Sequence, residues 1–426
     1  MKDLLRRIRV RTALFVILSF LLGWQIGHRD VEVKWANYKP TVSVINRDVP
    51  KTVNVDFKLF WDTWDLVSRT YIDKAALDPQ KMFYGAISGM VSAIGDPYTV
   101  FLPPQEQKTS KEELNGSFEG VGIQLGFNEA TGSGEFKEKR LVVIAPLEGT
   151  PAKKAGIKPQ DYITKIDDRD TIGMSLPEAV RLIRGPKGTQ VSLTIFREGD
   201  TDTRSFTLTR ETIVVKSVEV TFKETKGAKK VAVMKLSRFG ERTQDEWKEA
   251  VSQIVLEKPI ALILDLRNNP GGYLEGAVFV ASEFLEEGVV VLQENNKGEQ
   301  ASFKVNRVGQ LTKIPMIALI NKGSASASEI VAGALQDRER ARILGEKSFG
   351  KGTIQEAQDL PHGTGAHITV AKWLTPNGRW VNEAQGLEPD VLVAVPKEQN
   401  GQVDEEKDLP AGRQDIQLDK ALELLE

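Results

Sequence analysis

The sequence predicts an α+β chain of several domains, and three observations carry that prediction. Its 426 residues exceed what one hydrophobic core ordinarily organises. Residues 112–212 alternate apolar and polar positions between clustered glycines, the period of strands in a small, partly open barrel. From residue 213 onward, nearly unbroken apolar runs are separated by helical spacing, as in a sheet buried on both faces.

The elements follow in order. Residues 1–11 carry Lys2, Arg6, Arg7, Arg9 and Arg11, and residues 12–27 carry no charge. As a helix the uncharged run is about 24 Å long, extended by a snorkelling Arg11. Gly23-Trp24-Gln25 and Gly27-His28-Arg29 are poor cleavage sites. The expectation is an uncleaved transmembrane signal anchor with residues 1–11 in the cytoplasm and the remainder outside. Residues 28–55 show no sustained period and read as a linker. Residues 56–111 read as a helical region for packing or dimerisation. Phe57, Phe60, Trp61, Trp64, Leu66 and Val67 form one apolar face, with Trp61 and Trp64 expected in a core, and Gly95-Asp96-Pro97 ends the second helix. Within 112–212 strands are expected around Val121, Leu141 and Val191, with one helix from Leu176 to Arg184 after Ser175. Residues 213–395 read as an α/β core joined by right-handed crossovers. Its strands are expected at 231–236, 260–266, 289–292 and 314–320, and its helices at 243–257, 274–285 and 326–336. Residues 396–426 read as a charged linker and a short amphipathic helix.

Composition narrows the chemistry. Lys and Arg total 57 against 59 Asp and Glu, so no basic excess exists to hold nucleic acid. There is no cysteine, and the histidines are His28, His362 and His367, too few for a multi-histidine metal centre. Hydroxyl and lysine chemistry remains.

Three stretches suit it. In 314–337 a buried strand runs through a glycine-containing loop into a helix beginning within Ser324-Ala325-Ser326-Ala327-Ser328-Glu329. A hydroxyl there could attack a carbonyl whose oxyanion meets a free N–H. Ser324, Ser326 and Ser328 are equal candidates by position, and Ser326-x-x-Glu329 is also an ordinary capping box. A serine nucleophile needs a base, and Lys351, flanked by Gly350 and Gly352, is available if burial keeps its amine neutral. Gln355 lies four residues on. Asp265 to Gly272 ends a buried strand, where α/β proteins place their sites, and Gly271-Gly272 offers unhindered N–H groups.

Together DLRNNPGG, SASASE and FGKGTIQ resemble the carboxyl-terminal processing proteases, also called tail-specific proteases, over residues 56–395 and the terminal helix. Lys351 follows Ser326 by 25 positions, as the family's base follows its nucleophile. The resemblance implies a crotonase-like α/β core with Ser326 as nucleophile, Lys351 as base and Gln355 as its support. It places the oxyanion hole at the amides of Gly272 or Gly271 and Ala327. It also implies, through GTPAKKAGIKPQDYITKID, that 112–212 is a PDZ domain. Gly120-Val121-Gly122-Ile123 would then receive a terminal carboxylate, and Arg184 would couple that domain to the catalytic loop. The expectation is a serine endopeptidase in the bacterial inner membrane, single-pass, its catalytic domain periplasmic. It would act on proteins through their C-termini without metal or cofactor, as a homodimer through its helical segments. His362 and His367 would be structural. The rivals are an inactive PDZ scaffold, an acyl-CoA enzyme on the same core, and a Ser-x-x-Lys acylase. The last is disfavoured because Glu329 stands where that lysine would be.

Overall fold

The computed structural model describes residues 16–20, 23, 31–36, 39–44, 55–129, 139–395 and 415–426. The chain divides into two units, residues 1–82 and 83–426. The expected cytoplasmic tail, most of the expected anchor and the linker at 396–414 lie outside the described residues. Among the described residues no helix is long and apolar enough to cross a membrane.

In the first unit, β1 (Val31–Ala36) pairs antiparallel with β2 (Lys39–Val44), so the stretch expected to be a linker contains a hairpin. Its runs of six residues are too short to show a sustained period. In α1 (Lys58–Thr70) no residue is buried. Trp61 is exposed and Trp64 half-buried, which corrects the expectation that both lie in a core. They pack instead on each other and on Phe60, with ring centroids 5.0–6.2 Å apart. Helix α2 (Pro79–Ser92) follows.

The second unit begins within α2 and continues with β3 (Val100–Leu102), α3 (Pro104–Asn115) and β4 (Ser117–Gly120). Two expectations change here. Residues 56–111 are not helical throughout, and α3 runs across the expected boundary at 111/112 until Gly116, at φ 65°, ends it.

The glycine-rich domain contains β5 (Ile123–Glu129), β6 (Lys139–Pro146), α4 (Pro151–Lys154), β7 (Tyr162–Ile166), β8 (Arg169–Asp170), α5 (Leu176–Ile183), β9 (Gln190–Phe196) and β10 (Arg204–Thr209). Its strands are ordered β10-β9-β7-β6-β5, with β8 on β7. Inward positions at period two, such as Val191, Leu193 and Ile195, form its core with Val121, Leu141 and Ile163. Strand β11 (Glu211–Val214) pairs with β4 and brings the domain's entry and exit together.

The larger core contains β12 (Val218–Glu224), β13 (Lys230–Leu236), α6 (Thr243–Glu257), β14 (Ala261–Asp265), α7 (Leu274–Ala281), β15 (Val289–Asn295), β16 (Gln300–Lys304), β17 (Met316–Ile320), α8 (Ala327–Asp337), β18 (Arg342–Gly345), β19 (Thr353–Asp359), β20 (Gly365–Leu374), β21 (Val391–Leu392) and α9 (Ile416–Leu424). One sheet runs β12-β13-β14-β17-β18-β21, parallel except for β12. Alternate residues serve its two faces. Met234, Leu264 and Ala318 meet α6, α7 and α8, whereas Val233, Ile263 and Leu319 meet Leu418, Ala421 and Leu422 of α9. Both faces are covered, so the strands are apolar throughout. A second sheet runs β16-β15-β20-β19, and β3 joins it at β20, pairing Val100 with His367. That pairing carries the chain just before β3 to the loop that precedes β19.

Candidate active site

The loop leaving β17 enters α8 through Ser326, whose backbone stands at φ 54°, ψ −114°. A non-glycine residue there costs about 1–3 kcal/mol and persists only where its surroundings enforce it. The enforcement is visible. The Ser326 N–H donates to Glu329 Oε2 at 2.7 Å. Ser324 and Ser328 are fully buried and their hydroxyls are engaged. Ser324 Oγ donates to the Leu266 carbonyl at 2.8 Å, and Ser328 Oγ lies 2.7 Å from the carbonyls of both Asn269 and Ala325. Ser326 is half-buried. The three serines, equal by position, are therefore separated by burial and bonding.

The loop after β14 packs directly on this turn. Buried Asn269 donates through Nδ2 to the Leu236 carbonyl at 2.7 Å and accepts the Gly271 N–H at 2.9 Å. Two hydrogen bonds tie the loops together: Asn321 Nδ2 donates to Asn268 Oδ1 at 2.7 Å, and the Asn268 N–H donates to Asn321 Oδ1 at 2.9 Å. At Gly271, φ 103°, a Cβ would stand 2.8 Å from Ser326 Cβ, so only glycine permits the approach. The Gly271 amide is thus engaged by Asn269. Among the described residues the amides of Gly272 and Ala327 have no acceptor. A helix start with such amides beside a half-buried hydroxyl can hold a developing oxyanion.

Lys351 lies in the loop before β19. Its backbone is pinned from two sides: Glu329 accepts from the N–H groups of Gly350 at 2.7 Å and Lys351 at 2.9 Å, and Trp373 Nε1 donates to the Lys351 carbonyl at 2.9 Å. Glu329 also accepts from Ser348 Oγ at 2.5 Å. This one carboxylate therefore bonds both the Ser326 turn and the Lys351 loop. Its burial pushes its own carboxyl up, against those donors. Burial likewise lowers the Lys351 ammonium below the ordinary lysine value, opposed by the charges of Asp96 and Glu329. Lys351 Nζ stands 5.0 Å from the centre of the Tyr98 ring.

Tyr98 belongs to the turn before β3. Asp96 Oδ1 accepts the Tyr98 N–H at 3.0 Å, while Oδ2 accepts from Thr99 Oγ1 at 2.7 Å and from Thr369 Oγ1 at 2.5 Å. Sequence reasoning took this turn for a helix stop. The Asp-x-Tyr-Thr spacing signals a side-chain-closed turn, but nothing in it points to a lysine so far along the chain. The bridging role of Glu329 was hidden behind its capping box.

The remaining site residues stand as follows. Gln355 Nε2 donates to Thr353 Oγ1 at 2.9 Å and Thr369 Oγ1 at 3.0 Å, so it reaches Asp96 through Thr369. Arg184 ends α5 with its guanidinium 4.3 Å over the Phe118 ring and 3.6 Å from Glu112. Glu112 sits on α3, whose Gln107 and Lys111 bind Asp359 of β19 at 2.8 and 2.7 Å. Gly120 pairs with Glu211, and Ile123 begins β5. Val121 and Gly122 are buried, and among the described residues their amides have no acceptor. Gly122, at φ 76°, lies against Thr150, where a Cβ would come within 2.4 Å. His362 is exposed. His367 is half-buried, and burial followed by nearby Lys351 lowers its proton affinity.

An α/β hydrolytic core preceded by a small β domain is the class that fold and site define, a PDZ-bearing peptidase. Residues 230–393 match peptidase family S41, residues 142–197 a PDZ domain, and residues 30–106 the N-terminal domain of the activating protease CtpB. The carboxyl-terminal-processing protease of Synechocystis is 36% identical over 384 residues, 86% of either chain. The carboxy-terminal processing protease CtpA of Bacillus subtilis is 34% identical over 83% of this chain and 72% of its own. In fold alone, a Bacteroides fragilis protein assigned to S41 is similar at TM-score 0.52 and 14% identity, covering 78% of this chain and 89% of that one. The chain belongs to the carboxyl-terminal processing proteases of peptidase family S41.

Proposed function

We propose that this chain is a serine endopeptidase that takes protein C-termini in its PDZ domain and cuts with Ser326 and Lys351. Ser326 Oγ attacks the scissile carbonyl carbon and gives its proton to the neutral Lys351 amine. The amides of Gly272 and Ala327 hold the oxyanion. The Lys351 ammonium then protonates the departing amine, and water, deprotonated by the same lysine, hydrolyses the acyl-enzyme. The observation that carries this reading is the Ser326 turn, a strained serine beside amides that have no acceptor among the described residues, while its two neighbours are engaged. The amides of Val121 and Gly122 support capture of a terminal carboxylate, with β5 available for strand addition.

The test is incubation of the full-length chain, in detergent, with an unfolded protein. Wild type should cut it and Ser326→Ala should not; equal rates would remove Ser326 from the mechanism. Absence of labelling by a serine-reactive phosphonate would favour the inactive scaffold.

Two further parts belong to the same reading. The uncharged run at 12–27 behind a basic tail supports a single-pass anchor with the enzyme on the outer side of the inner membrane. Protease added to intact spheroplasts should then degrade the catalytic domain. Exposed Phe57, Leu59 and Trp61 on α1 support a homodimer, which sedimentation would detect.

A further inference from the structure

The turn at residues 96–99 has no role in the reaction so far, yet it supplies an aromatic ring beside the Lys351 amine and a carboxylate tied into β20. We propose that Tyr98 and Asp96 are positioning residues of the hydrolytic centre: the Tyr98 ring is the wall that keeps water from the Lys351 amine, and Asp96 is the counter-charge that opposes it. This inference rests on the reading of Lys351 as the base.

The geometry gives each residue a distinct task. The ring centre is 5.0 Å from Nζ, and β3 pairs with β20 immediately beyond, so the wall is fixed in register with β20, the neighbour of the strand that the Lys351 loop enters. Asp96 closes the turn on the Tyr98 amide and fastens it to Thr369, which also holds Gln355. The ring acts on the amine in two senses. Excluding water disfavours the ammonium, while the π face attracts it by about 0.5–2 kcal/mol. Burial is the leading influence on Lys351, the ring is part of what surrounds the amine, and the proposal takes water exclusion as the larger of its two effects. The phenol itself stays protonated, because burial and the charges of Glu329 and Asp96 raise it. The other groups facing the amine are Glu329, whose carboxylate is committed to backbone amides, and His367 on β20.

The two residues therefore predict opposite displacements of the pH profile, which general loosening of the fold would not produce. In the full-length chain, kcat/KM for an unfolded protein substrate is followed from pH 6 to 10. At the wild-type midpoint of the acid limb, the rate relative to plateau should fall from one half to about one tenth in Tyr98→Ala, with recovery at higher pH. In Asp96→Asn it should rise toward the plateau, the limb moving to lower pH. Asn keeps the carbonyl that accepts the Tyr98 amide. Tyr98→Phe keeps the ring and should leave the limb in place, as should His367→Gln. Limbs unmoved in Tyr98→Ala and Asp96→Asn, or displaced in the same direction, overturn the proposal. If melting shows that Tyr98→Ala does not fold, Asp96→Asn alone decides, since an unmoved or alkaline-shifted limb is fatal. Lys351→Ala in the same assay separates the two levels. Retained activity there removes the base; loss of activity there, with limbs unmoved in the others, removes only the role of the turn.

Discussion

In the proposed mechanism the centre has two halves, the nucleophile half around Ser326 and the base half around Lys351, and the two are built differently. The nucleophile half comes from two short stretches, 265–272 and 321–329, whose neighbouring hydroxyls are spent and whose Gly271 lies against the serine itself. Local contacts fix it. The base half is gathered from distant segments: Tyr98, Glu329, Trp373 and Trp380 each hold or wall one part of the Lys351 loop, and Phe349 within that loop stands exposed. Side chains fix it. The difference teaches that direction of attack and proton affinity are set separately. Among the described residues, Glu329 is the side chain that bonds both halves.

The largest expected effect separates the three serines. Ser326→Ala should lower hydrolysis of an unfolded protein by about 10⁴-fold or more, as loss of a nucleophile does. Ser324→Ala, which removes a buried bond to the Leu266 carbonyl, should cost about 1–3 kcal/mol of stability yet keep cutting. Ser326→Gly should be inactive but melt higher than wild type, because glycine tolerates φ 54°. If Ser324→Ala loses as much activity as Ser326→Ala at a temperature where both are folded, the division of roles fails. Gly271→Ala probes the same rigidity. Its Cβ would meet Ser326 Cβ at 2.8 Å, so a loss of about 10²-fold in kcat is expected, and near-normal kcat would show slack in that half.

What the sequence made legible follows the same division. The strand-loop-helix pieces around Gly271 and Ser326 are contiguous, so their apolar runs and helix start could be read directly. The parallel sheet was readable because strands buried on both faces lose their polar positions. Which serine attacks was not readable from residue types, since burial separates three identical side chains. The base half was readable only as Lys351 between glycines. Tyr98, Asp96 and Thr369 reach it through the pairing of β3 with β20, and a three-residue strand after a proline carries no periodicity. The hairpin at β1 and β2 escaped for the same reason. Exposed Trp61 defeated the usual equation of tryptophan with core, because an apolar helical face records that something covers it, not what does.

Glu329 sharpens the comparison at intermediate size. Its Oε2 accepts from Ser326 and Lys351, and its Oε1 from Ser348 and Gly350. In Glu329→Gln the carbonyl can keep the Ser326 and Lys351 amides, the new NH₂ turning to Ser348, whose hydroxyl can reverse. Only the Gly350 amide then loses its acceptor, and kcat should fall about tenfold. Glu329→Ala strands three amides and cuts the link, so about 10²-fold or more should be lost together with several degrees of melting temperature. Equal behaviour of the two variants would mean that charge, rather than the bridge, is what the site needs.

The smallest effect is on stability, and it belongs to the base half alone. Burial lowers the Lys351 pKa in the folded chain below the 10.5 of an ordinary lysine. Between those two values the unfolded chain binds more protons, so stability rises with pH across that window. The contribution is complete above about 10.5 and is lost as pH falls through the folded value. At neutral pH, placing the charge of Lys351 in its buried site therefore costs the folded chain stability. Lys351→Met keeps a long apolar stem against Tyr98 and removes that charge. It should be inactive yet melt about a degree or two above wild type at pH 7. The gap should close as pH approaches 10. A variant less stable than wild type at pH 7, or a gap independent of pH, would mean that the amine is better solvated than its place beneath the Tyr98 ring implies. The base half would then hold its lysine as loosely as an ordinary surface loop. Restoring bulk at the same position with Lys351→Arg should reverse the sign, since a guanidinium cannot shed its proton. It should melt below Lys351→Met across the whole range, and a higher melting point there would dissolve the contrast between a half fixed by local contacts and a half tuned by burial.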